Sequence, residues 1–387
     1  MERIIMHIDV NNAFLSWTAV YLLKKGHRDI RNEYAIIGGD ETKRRGIVLA
    51  KSMPAKKKGV KTAETIYSAR RKCPYLNVYP PNHKLYKYMS SRLFKLLSKY
   101  TSDIEIVSID ECFLDYTKVK SMYGDELEFA KKIKNEIYNT LGFTVNIGIA
   151  NNKLCAKMAS DFSKPNKIHT LYEYEVKTKM WPLPIGDLYG IGKSSTSKLK
   201  NLNINTIADL ANAKRELLYP YFKNQTNRII EIANGIDNDE VISEESDRVS
   251  ISTTTTLIYD YDDIEEINKV LKNISNKISK ELREKNKYCY TIAVITKDMY
   301  FKSKTHQTKL KNCTNDEKVI YETVTKLFKD NWDNTPIRLL GIRLDTLTDS
   351  NDYQISLFES VEEKENNDKL SKTLDLLRKK YGDNIIK

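Results

Sequence analysis

The chain has 387 residues, too many for one compact core and enough for two to four domains. With 40% hydrophobic and 30% charged residues, and no apolar run near the roughly 18 residues of a spanning helix, the composition excludes a membrane bundle. Lysine and arginine number 64 against 52 acidic residues, a net +12 that suits a polyanion such as nucleic acid, or that reflects base composition in a Lys-, Asn-, Ile- and Tyr-rich chain.

Ile4 to Val10 reads as a buried strand, and its opening lacks a signal-peptide pattern. Residues 14–80 follow as an insertion with its own helical stretch from Ala63 to Lys72, a small subdomain. Leu85, Met89, Leu93, Leu96, Leu97 and Tyr100 then recur at helical spacing. Ile104 to Ile109 and Cys112 to Tyr116 are β-rich and parted only by Asp110-Glu111, which predicts a tight antiparallel pair. A helix through Leu127, Ala130, Ile133 and Ile137 and a strand from Phe143 to Ile149 complete a β-α-β-β-α-β order, the split ferredoxin-like arrangement.

Further on, Gly190-Ile191-Gly192 lies between short helical segments and is followed by Lys193, Lys198 and Lys200; alone it also fits an ordinary turn. Asp237 to Asp247 is acidic and weakly apolar, as an exposed tether would be. A second β-α-β-β-α-β copy begins at the alternating strand Val249 to Leu257 and continues through a helix from Ile264 to Leu282. Strands at Tyr288 to Thr296 and Met299 to Lys304, a helix around Val319 to Phe328 and a strand from Ile337 to Leu344 complete it. The first strand of this copy, rich in Thr and Ser, fits phosphate binding or a solvated face equally. The five cysteines are odd in number and widely spaced, which predicts reduced, mostly buried thiols in a cytoplasmic protein.

Asp9 closes the first strand and Asp110-Glu111 joins the central pair, so a split fold brings three carboxylates to one sheet edge. Oxygen ligands of this kind suit Mg²⁺, and two such ions can activate a hydroxyl and neutralise a leaving pyrophosphate. Acidic residues at strand ends also mark turns, and both readings stand on spacing alone. Asp115 lies too far along its strand and reads as structural.

Three strings carry a resemblance: His7-Ile8-Asp9-Val10-Asn11-Asn12-Ala13-Phe14; Ser108-Ile109-Asp110-Glu111; and Gly148-Ile149-Ala150-Asn151-Asn152-Lys153 with Asp161-Phe162-Ser163-Lys164-Pro165. In this order, across residues 1 to 348, the chain resembles the Y-family translesion DNA polymerases, in particular their bacterial DNA polymerase IV-like group. The resemblance implies an α+β multidomain right hand: palm at 1–13 and 81–166, fingers at 14–80, a helix-hairpin-helix thumb at 167–236, a linker at 237–247, a little finger at 248–348 and a tail at 349–387. It makes Asp9, Asp110 and Glu111 the catalytic carboxylates and, with the Val10 carbonyl, the ligands of two Mg²⁺ ions for which Mn²⁺ can substitute.

By the same resemblance Phe14 is a steric gate that leaves no room for a 2′-hydroxyl. Lys164 contacts the triphosphate. Where many relatives carry Tyr-x-x-Arg, this chain has Met53-Pro54-Ala55-Lys56; Met53 cannot donate a hydrogen bond, whereas Lys56 keeps the charge and remains a triphosphate contact. Gly190, Gly192 and Lys193 become backbone-phosphate contacts. Gln354-Ile355-Ser356-Leu357-Phe358 resembles the peptide that docks on the bacterial sliding clamp, with Gln354, Leu357 and Phe358 as its anchors. Beyond it, Leu370, Leu374, Leu377 and Tyr381 form an apolar stripe that fits docking on the enzyme, a partner, or a simple cap.

The expected protein is thus a cytoplasmic, monomeric, low-fidelity polymerase acting on primer-template DNA and dNTPs, without proofreading, membrane contact or zinc. Two rivals remain at this point. A non-catalytic DNA- and clamp-binding factor would not need intact carboxylates, and another palm enzyme such as a nucleotidyl cyclase would need neither thumb hairpin nor clamp peptide.

Overall fold

The computed structural model describes residues 3–41, 44, 46–244, 247, 249–350, 373 and 377. The chain divides into two compact units, one of residues 1–39 and 46–245, the other of residues 40–45 and 246–387.

In the first unit, β1 (Ile5–Val10) is buried along its whole length and leads into α1 (Ala13–Leu23). The segment that follows holds β2 (Ala35–Gly38), β3 (Val48–Lys51), α2 (Met53–Lys57), α3 (Ile66–Lys72) and β4 (Asn77–Tyr79). The three strands make a small sheet of order β3-β2-β4 over a core that includes Ile36, Val48 and Ile66. No strand there exceeds four residues, too short for a two-residue alternation to stand out in sequence. The helix expected from Ala63 starts instead at Ile66, because Ala63 is left-handed (φ 67°) and the Thr65 hydroxyl caps the helix by accepting from Ser68 N–H at 3.1 Å.

α4 (His83–Leu97) buries Tyr86, Met89, Leu93, Leu96 and Leu97, close to the predicted stripe. Next come β5 (Ile104–Ile106), β6 (Glu111–Asp115), α5 (Lys120–Tyr123), α6 (Glu126–Leu141), β7 (Val145–Ala150), α7 (Lys153–Asp161) and β8 (Ile168–Thr170). The sheet order is β5-β6-β1-β7-β8, with β1 antiparallel to both neighbours: the split arrangement, extended by β8 running parallel to β7. In α6, Asp125 caps the first turn, and this sets a phase that buries Phe129 and leaves Leu127 39% exposed, contrary to the predicted stripe.

The helices α8 (Lys193–Asn201), α9 (Ile207–Ala211), α10 (Arg215–Phe222) and α11 (Thr226–Ala233) share one core with α7. The expected tether is fastened over its first half. Asp237 is buried and accepts from Leu154 N–H at 3.2 Å and from Arg228 at 2.8 Å. Arg3 donates to the Asp239 carbonyl at 2.9 Å, Lys153 to that of Glu240 at 3.1 Å, and Ile242 N–H to Glu105 at 2.9 Å.

The second unit holds β9 (Ser250–Tyr261), α12 (Ile264–Glu284), β10 (Tyr288–Asp298), β11 (Ser303–Thr314), α13 (Glu317–Asn331) and β12 (Ile337–Thr348). The element order repeats that of the first sheet, but the strand order, β11-β10-β12-β9, does not. Its central pair joins the second and fourth strands of the copy, whereas the first sheet centres on its first and third. The strand expected at Met299 to Lys304 is displaced to Ser303–Thr314, because Met299 to Lys302 form the hairpin turn. There the Asp298 carboxylate accepts from Tyr300 and Lys302 N–H groups at 2.9 Å each and Phe301 turns left-handed.

All five cysteines are buried and free. No helix among the described residues is long and apolar enough to cross a membrane. The peptide Gln354 to Phe358 and Leu370, Leu374 and Tyr381 lie outside the described residues.

Candidate active site

The register of the central strands sets the site. Asp9 at the end of β1 pairs directly with Glu111 at the start of β6, and Val10 N–H donates to the Asp110 carbonyl at 3.0 Å. Asp9 and the adjacent pair Asp110-Glu111, far apart in sequence, therefore lie at the same end of two neighbouring interior strands. Asp110 sits on the turn before β6, where the Ser108 hydroxyl donates to its Oδ1 at 2.7 Å and fixes the side chain.

Each of the other two carboxylates has an ammonium partner. Lys164 pairs with Asp9 and also with Asp161, at 2.8 Å to the latter. Burial raises the Asp9 pKa despite the opposing pull of Lys164. Lys157 pairs with Glu111 Oε2 at 2.5 Å, and His7 Nε2 approaches the same oxygen to 3.6 Å. The His7 contact first and Lys157 next pull Glu111 down to about 2 against the raising effect of its burial. His7 itself is fully buried, which lowers its pKa; its Nδ1 lies 2.8 Å from the Ser160 hydroxyl.

Gly148 makes this closeness possible. A Cβ there would fall 2.0 Å from the Ala156 carbonyl oxygen and 2.4 Å from Ser160 N, so only glycine lets α7 lie flush on β7. Beneath the edge, Asn146 accepts from Asn11 Nδ2 at 3.0 Å and donates to the Ser163 carbonyl at 2.7 Å, while Asn166 N–H donates to Asn11 Oδ1 at 2.8 Å. This buried amide pair ties the strand end to the loop that carries Lys164.

Phe14 stands in the first turn of α1, which starts from left-handed Asn12 (φ 50°). Its ring stacks on Tyr86 at 4.4 Å and 7° and meets His83 edge-on at 6.2 Å. Tyr86 is held in turn by Thr18, 3.1 Å from its hydroxyl. The Asn12 amide donates to the Lys51 carbonyl at 2.6 Å, linking this turn to the end of β3. Lys56 and Met53 are exposed on α2; Lys51 is half-buried and its pKa is lowered, first by burial and then by neighbouring Lys56.

In the helical segment Gly190 has φ 89°, and Gly192, with open space where a Cβ would stand, precedes α8, whose Lys193, Lys198 and Lys200 are exposed. The fold thus gathers Asp9, Asp110, Glu111 and Lys164. Among the described residues it makes no ion pair or hydrogen bond from Lys56 or Lys193 to those carboxylates.

Sequence reasoning missed His7 as a buried support, although it lies inside a quoted string, and it missed Lys157, Ser160, Asn146 and Lys51. The spacing Lys153-x-x-x-Lys157 on a helix that follows a quoted glycine was the one local signal for Lys157.

Among the described residues no group of three or more His, Cys, Asp or Glu is drawn together as closely as a bound ion draws its ligands. The donor set nevertheless fits a hard divalent cation: three carboxylates at one edge, oxygen only, two of them already neutralised by ammonium groups that a cation can replace.

The chain matches the impB/mucB/samB family over residues 8–161, the C-terminal domain of that family over 248–357, and the helix-hairpin-helix motif of the IMS family over 175–204. It is 47% identical to DNA polymerase IV of Clostridium acetobutylicum, covering all of this chain and 97% of that one. It is 34% identical to DNA polymerase IV 1 of Bacillus subtilis, covering all of this chain and 92% of the relative. Among solved structures, a Y-family DNA polymerase chimera, Dbh-Dpo4(243-245)-Dbh, superposes with a TM-score of 0.79 at 25% identity over 90% of this chain and all of the chimera. A Dbh ternary complex superposes with a TM-score of 0.61 at 25% identity, over 88% of this chain and 98% of that one.

Proposed function

The chain belongs to the impB/mucB/samB family and is a Y-family translesion DNA polymerase; from that premise we propose that it extends a primer by two-metal nucleotidyl transfer at the Asp9–Asp110–Glu111 edge. The observation that carries the proposal is the direct pairing of Asp9 with Glu111, with Asp110 bonded back to Val10.

Asp9, Asp110, Glu111 and the Val10 carbonyl would hold Mg²⁺, or Mn²⁺ in its place. When bound, such ions lower the pKa of the primer 3′-hydroxyl and neutralise the phosphates around the leaving pyrophosphate. Ser108 and the buried Asn11–Asn146 pair keep the edge preorganised, so little reorganisation is needed as charge develops. Lys164, 37% exposed and shared between two carboxylates, is placed to turn toward the triphosphate, with Lys56 offering a second charge. Phe14, braced by Tyr86 and His83, packs under the sugar and excludes a 2′-hydroxyl.

Duplex contacts fall to the helical segment, where Gly190, Gly192 and Lys193 approach a phosphate without reading sequence. The face of the second unit's sheet turned from its helices adds polar groups: Ser252 and Thr254 lie opposite Arg343 and Gly341 on the neighbouring strand. In palm, fingers, thumb and little-finger terms, these are residues 1–13 with 81–166, 14–80, 167–236 and 248–348. Family matches over residues 8–161, 175–204 and 248–357 support a polymerase without a proofreading segment and hence of low fidelity. The sequence Gln354 to Phe358 supports tethering to a sliding clamp. The same reading makes the enzyme a monomer of the reducing cytoplasm, in keeping with five buried free thiols.

Primer extension with dNTPs and Mg²⁺ tests the proposal. Wild-type protein should extend a primed template, and Asp110→Ala should not. Extension by Asp110→Ala at the wild-type rate would overturn the assignment of the edge.

A further inference from the structure

We infer that Lys157 is a positioning residue for Glu111, anchoring one carboxylate oxygen inward so that the other stays free at the catalytic edge. The inference rests on the reading of Asp9, Asp110 and Glu111 as that edge. Lys157 and Glu111 side chains are only 13% and 20% exposed, and Lys157 donates its hydrogen bond to Oε2. His7, with no exposure, brings its Nε2 to 3.6 Å from the same oxygen, beyond hydrogen-bond distance. Ser160, three residues after Lys157 on α7, lies 2.8 Å from His7 Nδ1 and donates to the Lys157 carbonyl at 2.8 Å. One turn of α7 thus supplies both the anchor of the carboxylate and the brace of the ring beneath it. The Lys157 hydrogen bond goes to Oε2, and among the described residues Glu111 Oε1 takes no hydrogen bond.

The two ammonium groups of the site divide the work. Lys164 is 37% exposed and shared between Asp9 and Asp161, so it can leave Asp9 for an incoming phosphate while Asp161 keeps it near. Lys157 is shielded and, among the described residues, has Glu111 as its single ionic partner. Desolvation offsets much of the attraction in such a pair, so it adds little stability over an apolar pair of the same shape, although removing one partner alone is costly; what it supplies here is one fixed carboxylate geometry. Without it Glu111 gains rotamers and the edge gains net negative charge. A divalent cation then binds more tightly in a less productive arrangement.

Lys157→Met, equal in reach and uncharged, separates these effects. Mn²⁺ affinity of the DNA-bound enzyme, read by electron paramagnetic resonance, should tighten about threefold. Over the same comparison kcat should fall about tenfold, with KM for dNTP within about twofold. Lys157→Arg should return the Mn²⁺ affinity to that of wild type. A kcat within about twofold of wild type, or Mn²⁺ binding unchanged, overturns the inference. If Lys157→Met does not fold, Ser160→Ala carries the test: the brace of His7 is lost and kcat should again fall with KM unmoved, whereas a wild-type kcat overturns it. An Asp110→Ala enzyme that still extends primers sinks the reading of the edge itself, while an inactive Asp110→Ala beside a fully active Lys157→Met sinks only the role of Lys157.

Discussion

At Asp9, burial and charge oppose each other. Its folded pKa is raised, first by burial, so ionising it in the fold is less favourable than in the open chain and subtracts from stability above the ordinary aspartate range. Asp9→Asn should therefore melt above wild type while losing activity, since Lys164 still has Asp161; a thermal melt and a primer-extension assay read the two effects. Glu111 behaves in the opposite sense. Its pKa is lowered to about 2, so it contributes stability that is complete above the ordinary glutamate range and drains away as pH falls toward 2. Glu111→Gln should melt below wild type at pH 7, and the gap should narrow by pH 3; calorimetry at the two pH values reads both effects. For Phe14→Ala, ribonucleotide incorporation should rise at least tenfold over wild type in single-nucleotide extension, about what removal of a steric clash allows. The three carboxylates were legible because each lies in a short local string. Lys157 and His7 were not, because they reach Glu111 by contacts across α7, β1 and β6 that no spacing along the chain encodes.

At the scale of elements, the packing of α7 on β7 decides whether the site assembles. Gly148→Ala would place its Cβ against backbone atoms of Ala156 and Ser160, which cannot swing aside as a flexible side chain can. α7 would have to move away from the sheet, at a cost of about 3 kcal/mol. Lys157 and Ser160 move with it, so the urea midpoint should drop and kcat fall about a hundredfold, both measurable on the purified protein. Long, strongly periodic elements such as α4 and α12 could be read from the sequence, and so could β1, a mostly apolar run broken by His7 and Asp9. The strands β2 to β4 could not, because three or four residues carry too little pattern. β11 was displaced because its alternating residues are mostly Ser, Thr, Lys and Gln, which give no apolar period.

For the whole molecule, order along the chain and order in space differ. The two β-α-β-β-α-β copies share the first and not the second, since a hairpin can settle on either side of its partner strand without changing the sequence of elements. The motifs identified the enzyme class because chemistry is concentrated in few residues, whereas sheet order is distributed over many weak pairings. Function at this scale includes the proposed tether at Gln354 to Phe358. Replacing Leu357 and Phe358 together by Ala should leave extension of a short primed template unchanged and abolish stimulation by a sliding clamp on long templates. Equal stimulation of variant and wild type would refute the tether.

The five cysteines leave a practical mark on the molecule. All are buried, and Cys155 and Cys289 are pushed up to about 12 by their apolar surroundings, so neither offers a thiolate at neutral pH. The native fold therefore presents a silent background to maleimide reagents. A single cysteine introduced at an exposed site, such as Lys193 or Tyr300, can carry a fluorophore or spin label without removal of any resident thiol.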